Sequence, residues 1–308
     1  MPNASRYPKS NTAIKNSGRS PGKVPFAPEK RPKPLAKKSL GQNFLQDANI
    51  ARKIVASLEI APGDSVLEIG PGPGALSVHV EASNPSWYLL LEKDSAWAAF
   101  HAEQRGLLVQ YSCAAALQSL NTAAARGRVV LEGDALHVPW ETFTTPWKAV
   151  GNLPYNVASP MMWELFSRIP QLQRAVFMVQ KEVGERLAAE PGSGKYGALS
   201  VWVQSFVRPR IEFIVPPQVF YPRPKVHSAV VSFVPVGSPG TFVPEALAAF
   251  LKTCFQSRRK QLGSVFKGDL NVLDALQHRG IALTARPETL SPADFHFVSS
   301  CKFSASSN

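Results

Sequence analysis

Residues 65–78 read SVLEIGPGPGALSV, and this stretch constrains the fold more than any other. Ser65-Val66-Leu67-Glu68-Ile69 is a short apolar strand by its length and pattern. Gly70-Pro71-Gly72-Pro73-Gly74 continues neither strand nor helix, and helical Ala75-Leu76-Ser77-Val78 follows. Strand, glycine turn and helix form the first unit of a doubly wound nucleotide-binding sheet. Glycines let backbone come close to a ligand, and a helix N-terminus offers free N–H groups. The G-x-G-x-G spacing departs from the dinucleotide pattern G-x-G-x-x-G, and no phosphate-gripping Lys accompanies it. A ligand without a pyrophosphate fits it better. A purely structural turn would carry the same residues.

The following units extend the pattern. Trp87-Tyr88-Leu89-Leu90-Leu91 reads as a second strand with Glu92 at its tip, 20 residues past Gly72. An acid there is placed to hold the two hydroxyls of a ribose. A helix is expected from about Asp94 to Gln104. Val129-Val130-Leu131-Glu132 is a third strand, ending in Gly133-Asp134-Ala135. Asp134 can accept from an adenine amino group, or serve as a turn residue. The distance from Glu92 to Asp134 is long for one helix and one strand, so Ala-rich 112–127 reads as an inserted helix or loop.

Ala149-Val150-Gly151 then leads into Asn152-Leu153-Pro154-Tyr155. Pro154 fixes its own φ and pushes Leu153 toward extended geometry. The turn presents an amide and an aromatic ring at one strand tip. An amide can accept from an exocyclic amino group while a phenol ring stacks on the base, which suits a flipped-out purine. A proline turn with an Asn cap and a buried Tyr reads the same by itself.

Further elements are a helix at 158–168, a strand at 175–179, helices at 181–190 and 198–206, and strands at 211–215 and 226–234. The last two flank a proline-rich loop, Pro216 to Lys225, presenting Phe220 and the cations Arg223 and Lys225. Upstream, Ser39-Leu40-Gly41-Gln42-Asn43-Phe44-Leu45 leads into Asp47, a plausible N-cap for a helix carrying Ile50, Ile54, Val55 and Leu58.

Charge separates the ends from the body. Residues 1–38 hold ten Lys or Arg against one Glu, +9 of the net +12, and seven prolines. Such a segment cannot bury enough surface to offset its chain entropy, so it reads as a disordered basic arm. It is open to three readings: a phosphate-binding arm, a bland tail, or a transit peptide, against which the prolines speak. The three cysteines (Cys113, Cys254, Cys301) lack metal-like spacing and suggest a reducing compartment. No apolar run approaches the roughly 20 residues of a membrane span. Residues 39–236 make the main body. Gly237-Ser238-Pro239-Gly240 is a linker, and 237–308 a small helical domain. There Leu247, Phe250, Leu251 and Cys254-Phe255 follow helical spacing, and Arg258-Arg259-Lys260 comes next. Short helices are expected at 270–279 and 292–300.

Assembled, SLGQNFL, LEIGPGPGALS, EKD, GDA, GNLPYN, FMVQKEV, PPQVFYPRPKVHSAVV and FQSRRKQL resemble, in order, the KsgA-type ribosomal RNA adenine dimethyltransferases. The resemblance covers roughly residues 37–300. It implies an α/β Rossmann-like, S-adenosylmethionine-dependent methyltransferase sheet with a small C-terminal helical domain. It implies a cytoplasmic, monomeric enzyme with no metal and no membrane association. The target implied is two adjacent adenosines in a hairpin loop near the 3' end of 16S rRNA, modified during small-subunit maturation. By the resemblance, Asn43 and Leu45 line the cofactor with Gln42 nearby, and Gly70 and Gly72 pass its methionine moiety. Glu92 holds the ribose, Asp134 with Ala135 the adenine, and Asn152 both cofactor and target. Tyr155 and Phe220 would sandwich the target base. Arg223, Lys225, Arg258, Arg259 and Lys260 would meet RNA. Three departures stand out: the 112–127 insert, the extended basic head, and Ser77 where Thr is usual.

The chemistry expected follows from the base. The adenine N6 lone pair is delocalised into the ring, so orientation is the main requirement. The Asn152 oxygen and the Leu153 carbonyl would accept from the two N6–H bonds. Rival readings are a 23S rRNA methylase, which lacks the basic triplet, and an RNA-binding assembly factor without transfer. Intact Glu92, Asp134 and Asn152 speak against the latter.

Overall fold

The central strands are buried on both faces, and this decides the layering. Every residue of Trp87–Glu92 is buried. Trp87, Leu89 and Leu91 enter one apolar cluster, while Tyr88 and Leu90 enter the other. A strand apolar on both faces belongs inside a helix-flanked sheet, because only there do both sets of side chains leave water. The computed structural model describes residues 34, 35, 37, 41–111, 127–237 and 242–304.

Among the described residues the main sheet holds β2 (Ser65–Ile69), β3 (Trp87–Glu92), β4 (Val109–Tyr111), β5 (Arg128–Glu132), β6 (Trp147–Asn152), β7 (Leu172–Gln180), β8 (Val207–Val215) and β10 (Ser228–Pro235). Their order is β4-β5-β3-β2-β6-β7-β10-β8. The first six are parallel, and β10 runs antiparallel to both β7 and β8. The chain builds outward from β2 through β3, then returns to β2's other side as β6. That reversal opens a crevice at the carboxyl ends of β2 and β6. A separate two-stranded ladder pairs β1 (Phe44–Leu45) with β9 (Phe220–Tyr221), Phe44 opposite Tyr221 and Leu45 opposite Phe220.

Helices α1 (Ala48–Ala56), α2 (Ser77–Ala82) and α3 (Ser95–Arg105) contribute to the core on one face of the sheet. Asp47 caps α1 through its side chain, accepting from Asn49 N and Ile50 N. On the other face lie α4 (Ala158–Arg168), α5 (Lys181–Leu187) and α6 (Ala198–Phe206). The C-terminal helices α7 (Pro244–Gln256), α8 (Leu262–Val265), α9 (Leu270–His278) and α10 (Pro292–Ser304) extend that same apolar cluster. Phe250 packs on Phe266 and Phe295 there, with ring centroids 5.0 and 6.0 Å apart.

Several boundaries differ from those expected. The glycine turn runs on through Leu76, and α2 begins only at Ser77. Helix α5 stops at Leu187, short of residue 190. Strand β8 starts at Val207, four residues early, because it pairs along β10 as far as Pro235. Edge strand β4 and helix α8 are too short to show a period, so sequence patterning does not reveal them. Arg258, Arg259 and Lys260 lie in a turn beyond α7, where Lys260 N donates to Ser257 O at 2.8 Å. Residues 112–126 of the insert, 238–240 of the linker and most of the basic arm fall outside the described residues.

Candidate active site

Two cavities adjoin at the crevice. The first is lined by the Gly41–Leu45 segment, Glu68, Gly70 to Pro73, Ala75, Leu76, Glu92 and Asn152 to Tyr155. The second runs over Ile69, Leu91, Lys93, Asp134, Ala135, Leu136 and Met161. Gln42, Gly70, Glu92, Leu153 and Pro154 line both. The crossover therefore brings together Gln42, Asn43, Leu45, Gly70, Gly72, Glu92, Asp134, Ala135, Asn152, Leu153 and Tyr155.

Sequence explains the close approach of the two central strands. A Cβ on Gly151 would stand 2.6 Å from the Ile69 carbonyl oxygen, so only glycine lets β6 pass the end of β2. Gly70 and Gly72 have φ of +68° and +49°, the left-handed region that glycine enters without steric cost. A Cβ at Gly72 would also meet the Phe44 ring at 3.1 Å.

Glu92 is buried at the junction of the cavities. Its Oε2 accepts from Gly72 N at 3.0 Å and its Oε1 from Asp94 N at 2.9 Å. Burial pushes its carboxyl above the ordinary range, and those two backbone donors oppose the shift. Each oxygen keeps a further lone pair for a hydroxyl. Asp134 stands in the second cavity. Its Oδ2 is 2.6 Å from Lys93 Nζ, and its Oδ1 accepts from Leu136 N at 3.1 Å. Desolvation raises its pKa, but Lys93 and the Leu136 N–H prevail and the net shift is downward. An acid at the junction of the cavities, a second acid in the second cavity, a glycine turn beside the first and a largely apolar lining fit a nucleoside-bearing cofactor such as S-adenosylmethionine. Among the described residues, no group of three or more His, Cys, Asp or Glu converges on a point.

Asn152 ends β6, and its Nδ2 donates to the Asn43 carbonyl at 2.9 Å. That bond commits the amino end of the amide and leaves the oxygen to accept. Leu153 is buried, and its N donates to Met178 O at 3.2 Å, fixing the turn against β7. Tyr155 is half-buried, with its hydroxyl 2.8 Å from Ser228 Oγ. Phe220 lines neither cavity. It is 5 % exposed and packed in the core beside Leu45 and Val215. Strand alternation turns the next residue, Tyr221, outward, 70 % exposed opposite Phe44 of the cleft wall.

Arg223 and Lys225 are exposed on the loop after β9, and Arg259 and Lys260 are exposed beyond α7. Arg258 is tied down: Nε is 2.7 Å from Glu288 Oε2, and Nη2 donates to Gly194 O at 2.8 Å.

Glu68 joins the site without a motif to mark it. It is 1 % exposed, lines the first cavity, and accepts a hydrogen bond from the Tyr88 hydroxyl. Burial pushes its carboxyl up to about 7, against the hydrogen bond from Tyr88. An acid in the middle of an apolar strand is its only signal in the sequence.

A mostly parallel sheet with a glycine turn at its switch point, an acid at the next strand tip and a second acid beyond defines a nucleoside-binding α/β class. Comparison with known proteins narrows this. The family model described as ribosomal RNA adenine dimethylase matches residues 34–302. The ribosomal RNA small subunit methyltransferase A of Nitratidesulfovibrio vulgaris is 52 % identical over 269 residues, covering 85 % of this chain and 94 % of that protein. The crystal structure of a dimethyladenosine transferase from Plasmodium falciparum superposes with a TM-score of 0.69 at 25 % identity, covering 83 % of this chain and 95 % of that one. The 23S rRNA methyltransferase ErmE shares the fold, with a TM-score of 0.60 at 21 % identity over 84 % of this chain and 98 % of its own. The chain belongs to the ribosomal RNA adenine dimethylase family, enzymes that dimethylate rRNA adenine with methyl groups from S-adenosylmethionine. No described helix is long and apolar enough to cross a membrane.

Proposed function

We propose that this chain dimethylates N6 of two adjacent adenosines in a hairpin loop near the 3' end of 16S rRNA, during maturation of the small subunit. The relatives at 52 % and 51 % identity are named as small-subunit rRNA methyltransferases, which supports the choice of subunit. The reading includes a cytoplasmic monomer acting on small-subunit particles. The observation that carries it is the Asn152-to-Tyr155 turn, which lines the first cavity together with Glu92.

In this reading Glu92 receives the ribose hydroxyls and Asp134 the adenine amino group of the cofactor. S-adenosylmethionine, when bound, supplies an electrophilic methyl group on a sulfonium. Asn152 Oδ1 and the Leu153 carbonyl accept from the two N6–H bonds of the target and aim the lone pair. Tyr155 stacks on the extruded base, whose removal from its loop costs a few kcal/mol. Phe220 completes the sandwich only after its ring leaves the core. After transfer the nitrogen sheds its proton to water, so no carboxylate base is required. For the second methyl one acceptor must be expendable, since the secondary amine has one N–H left. Arg223, Lys225, Arg259 and Lys260 hold the particle by its phosphates.

The test is tritiated-methyl transfer to purified unmethylated small subunits, followed by mapping. Two neighbouring dimethyladenosines in small-subunit rRNA are expected. Label elsewhere in the small-subunit rRNA, or no transfer at all, would overturn the proposal.

A further inference from the structure

His101 lies on α3 behind the glycine turn, 1 % exposed, and takes no part in the chemistry above. Its Nε2 is 2.7 Å from the Gly72 carbonyl oxygen. A carbonyl can only accept, so Nε2 carries the hydrogen. Its Nδ1 is 2.8 Å from Nη1 of Arg105, a group that can only donate. The two partners select one neutral tautomer. Arg105 is itself anchored, with Nε 2.7 Å from Glu81 Oε1 and Nη1 donating to the His101 carbonyl at 3.2 Å.

The Gly72 residue is thus gripped from two sides. Its carbonyl receives the His101 donor, and its N–H donates to Glu92 Oε2. Gly72 carries no side chain to resist rotation of its flanking peptides. The neighbouring turn is fitted to the ring as well: a Cβ on Gly74 would stand 3.2 Å from His101 Cε1. Burial first, and then the Arg105 cation, hold the imidazole pKa down to about 4, so the ring stays a single donor at neutral pH.

We propose that His101 is a positioning residue for the methyl-donor site: it fixes the Gly72 backbone and, through it, the Glu92 carboxylate in the geometry that receives the ribose. The inference rests on the reading of this cleft as the S-adenosylmethionine site. Losing the Nε2 donor orphans a buried carbonyl. The peptide is then free to turn, taking its N–H away from Glu92, and the carboxylate loses one of its two backbone donors.

Three variants isolate the donor. His101→Leu keeps bulk without nitrogen. His101→Gln places an amide donor near the Nε2 position. His101→Glu has the shape of Gln, pairs with Arg105, and offers an acceptor where a donor is needed. Calorimetry with S-adenosylmethionine and its demethylated product, steady-state transfer and thermal melts are measured on each. His101→Leu and His101→Glu are expected to raise cofactor Kd and KM about tenfold, leaving KM for RNA and kcat at saturating cofactor within about threefold. His101→Gln is expected to stay within about threefold throughout. If His101→Leu fails to fold, the Gln–Glu pair alone decides. Equal cofactor affinity in Gln and Glu variants, or losses that follow melting temperature and ignore donor chemistry, would overturn the inference. A wild-type protein that bound no cofactor would instead overturn the reading of the cleft.

Discussion

The amide of Asn152 donates to the backbone carbonyl of Asn43 at 2.9 Å, joining the tip of β6 to the segment entering β1, 109 residues away in sequence. One bond thereby aims the Asn152 oxygen and ties the Gly41–Leu45 segment over the first cavity. Asn152→Ala should lower transfer by about 10²–10³-fold, the range for removing one preorganised polar group from a transition state. Asn152→Asp should be no better, because a carboxylate cannot donate to the Asn43 carbonyl and is repelled by it. Single-turnover transfer with saturating cofactor measures both. An Asp variant within about threefold of wild type would dissociate the Asn43 bond from activity.

Glu92→Ala should weaken cofactor binding by about 1.5–3 kcal/mol, the worth of a hydrogen bond to a charged group. RNA binding should be untouched. Calorimetry against S-adenosylmethionine and filter binding of RNA separate the two. Unchanged cofactor affinity would remove Glu92 from the site.

Tyr155 and Phe220 should respond differently to truncation. Tyr155 lines the cavity, so Tyr155→Ala should lose about 1–3 kcal/mol of base stacking. Tyr155→Phe keeps the ring and gives up only the hydrogen bond with Ser228. Phe220 is a core residue, and Phe220→Ala should cost about 3–5 kcal/mol of stability before any effect on RNA. Phe220→Leu retains most of that packing and removes the ring. If Phe220→Leu is folded and fully active, the sandwich reading fails.

Much of this site is legible in the sequence because its residues sit at ends of short periodic elements. Glu92, Asp134 and Asn152 each follow an apolar run, and the glycine turn announces itself. Pairing across register is what a sequence does not display. Glu68 meets Tyr88 because β2 lies beside β3, and His101 reaches Gly72 from a helix 29 residues downstream. Arg258 reads as a free cation until the fold places Glu288 against it. Phe220 reads as available because loop composition does not say which face of a two-residue strand is buried.

Stability should carry opposed pH signatures from the two buried groups beside the turn. His101 has a folded pKa near 4 against an ordinary 6.5. Unfolding therefore takes up a proton as pH falls below 6.5, and stability drops by up to about 1.4 kcal/mol per pH unit until about pH 4. Glu68 has a folded pKa near 7 against 4.5. Its contribution is fully present below about pH 4.5 and is lost as pH rises toward 7. Denaturant midpoints for His101→Gln and Glu68→Gln, differenced against wild type from pH 4 to 8, should slope in opposite directions. Parallel difference curves would contradict the burial of one of the pair.

The basic triplet should split into one structural and two RNA-facing members. Arg258 bridges Glu288 and the Gly194 carbonyl, fastening the end of α7 to two other segments. Arg258→Ala removes both bonds and leaves Glu288 without its cation. The pair is partly exposed, so the stability loss should be about 1 kcal/mol. Arg259 and Lys260 are exposed in a turn whose backbone Arg258 helps to fix. Replacing both with Ala should leave melting unchanged. It should weaken particle binding and flatten its salt dependence by roughly 0.7–0.9 of a log unit for each phosphate the variant no longer neutralises. Turnover on the small subunit should fall more than turnover on a short hairpin, because the hairpin offers no distant phosphates for them to meet. The comparison needs both variants, both substrates and a salt series. A double variant with wild-type salt slope on the small subunit would remove Arg259 and Lys260 from the interface.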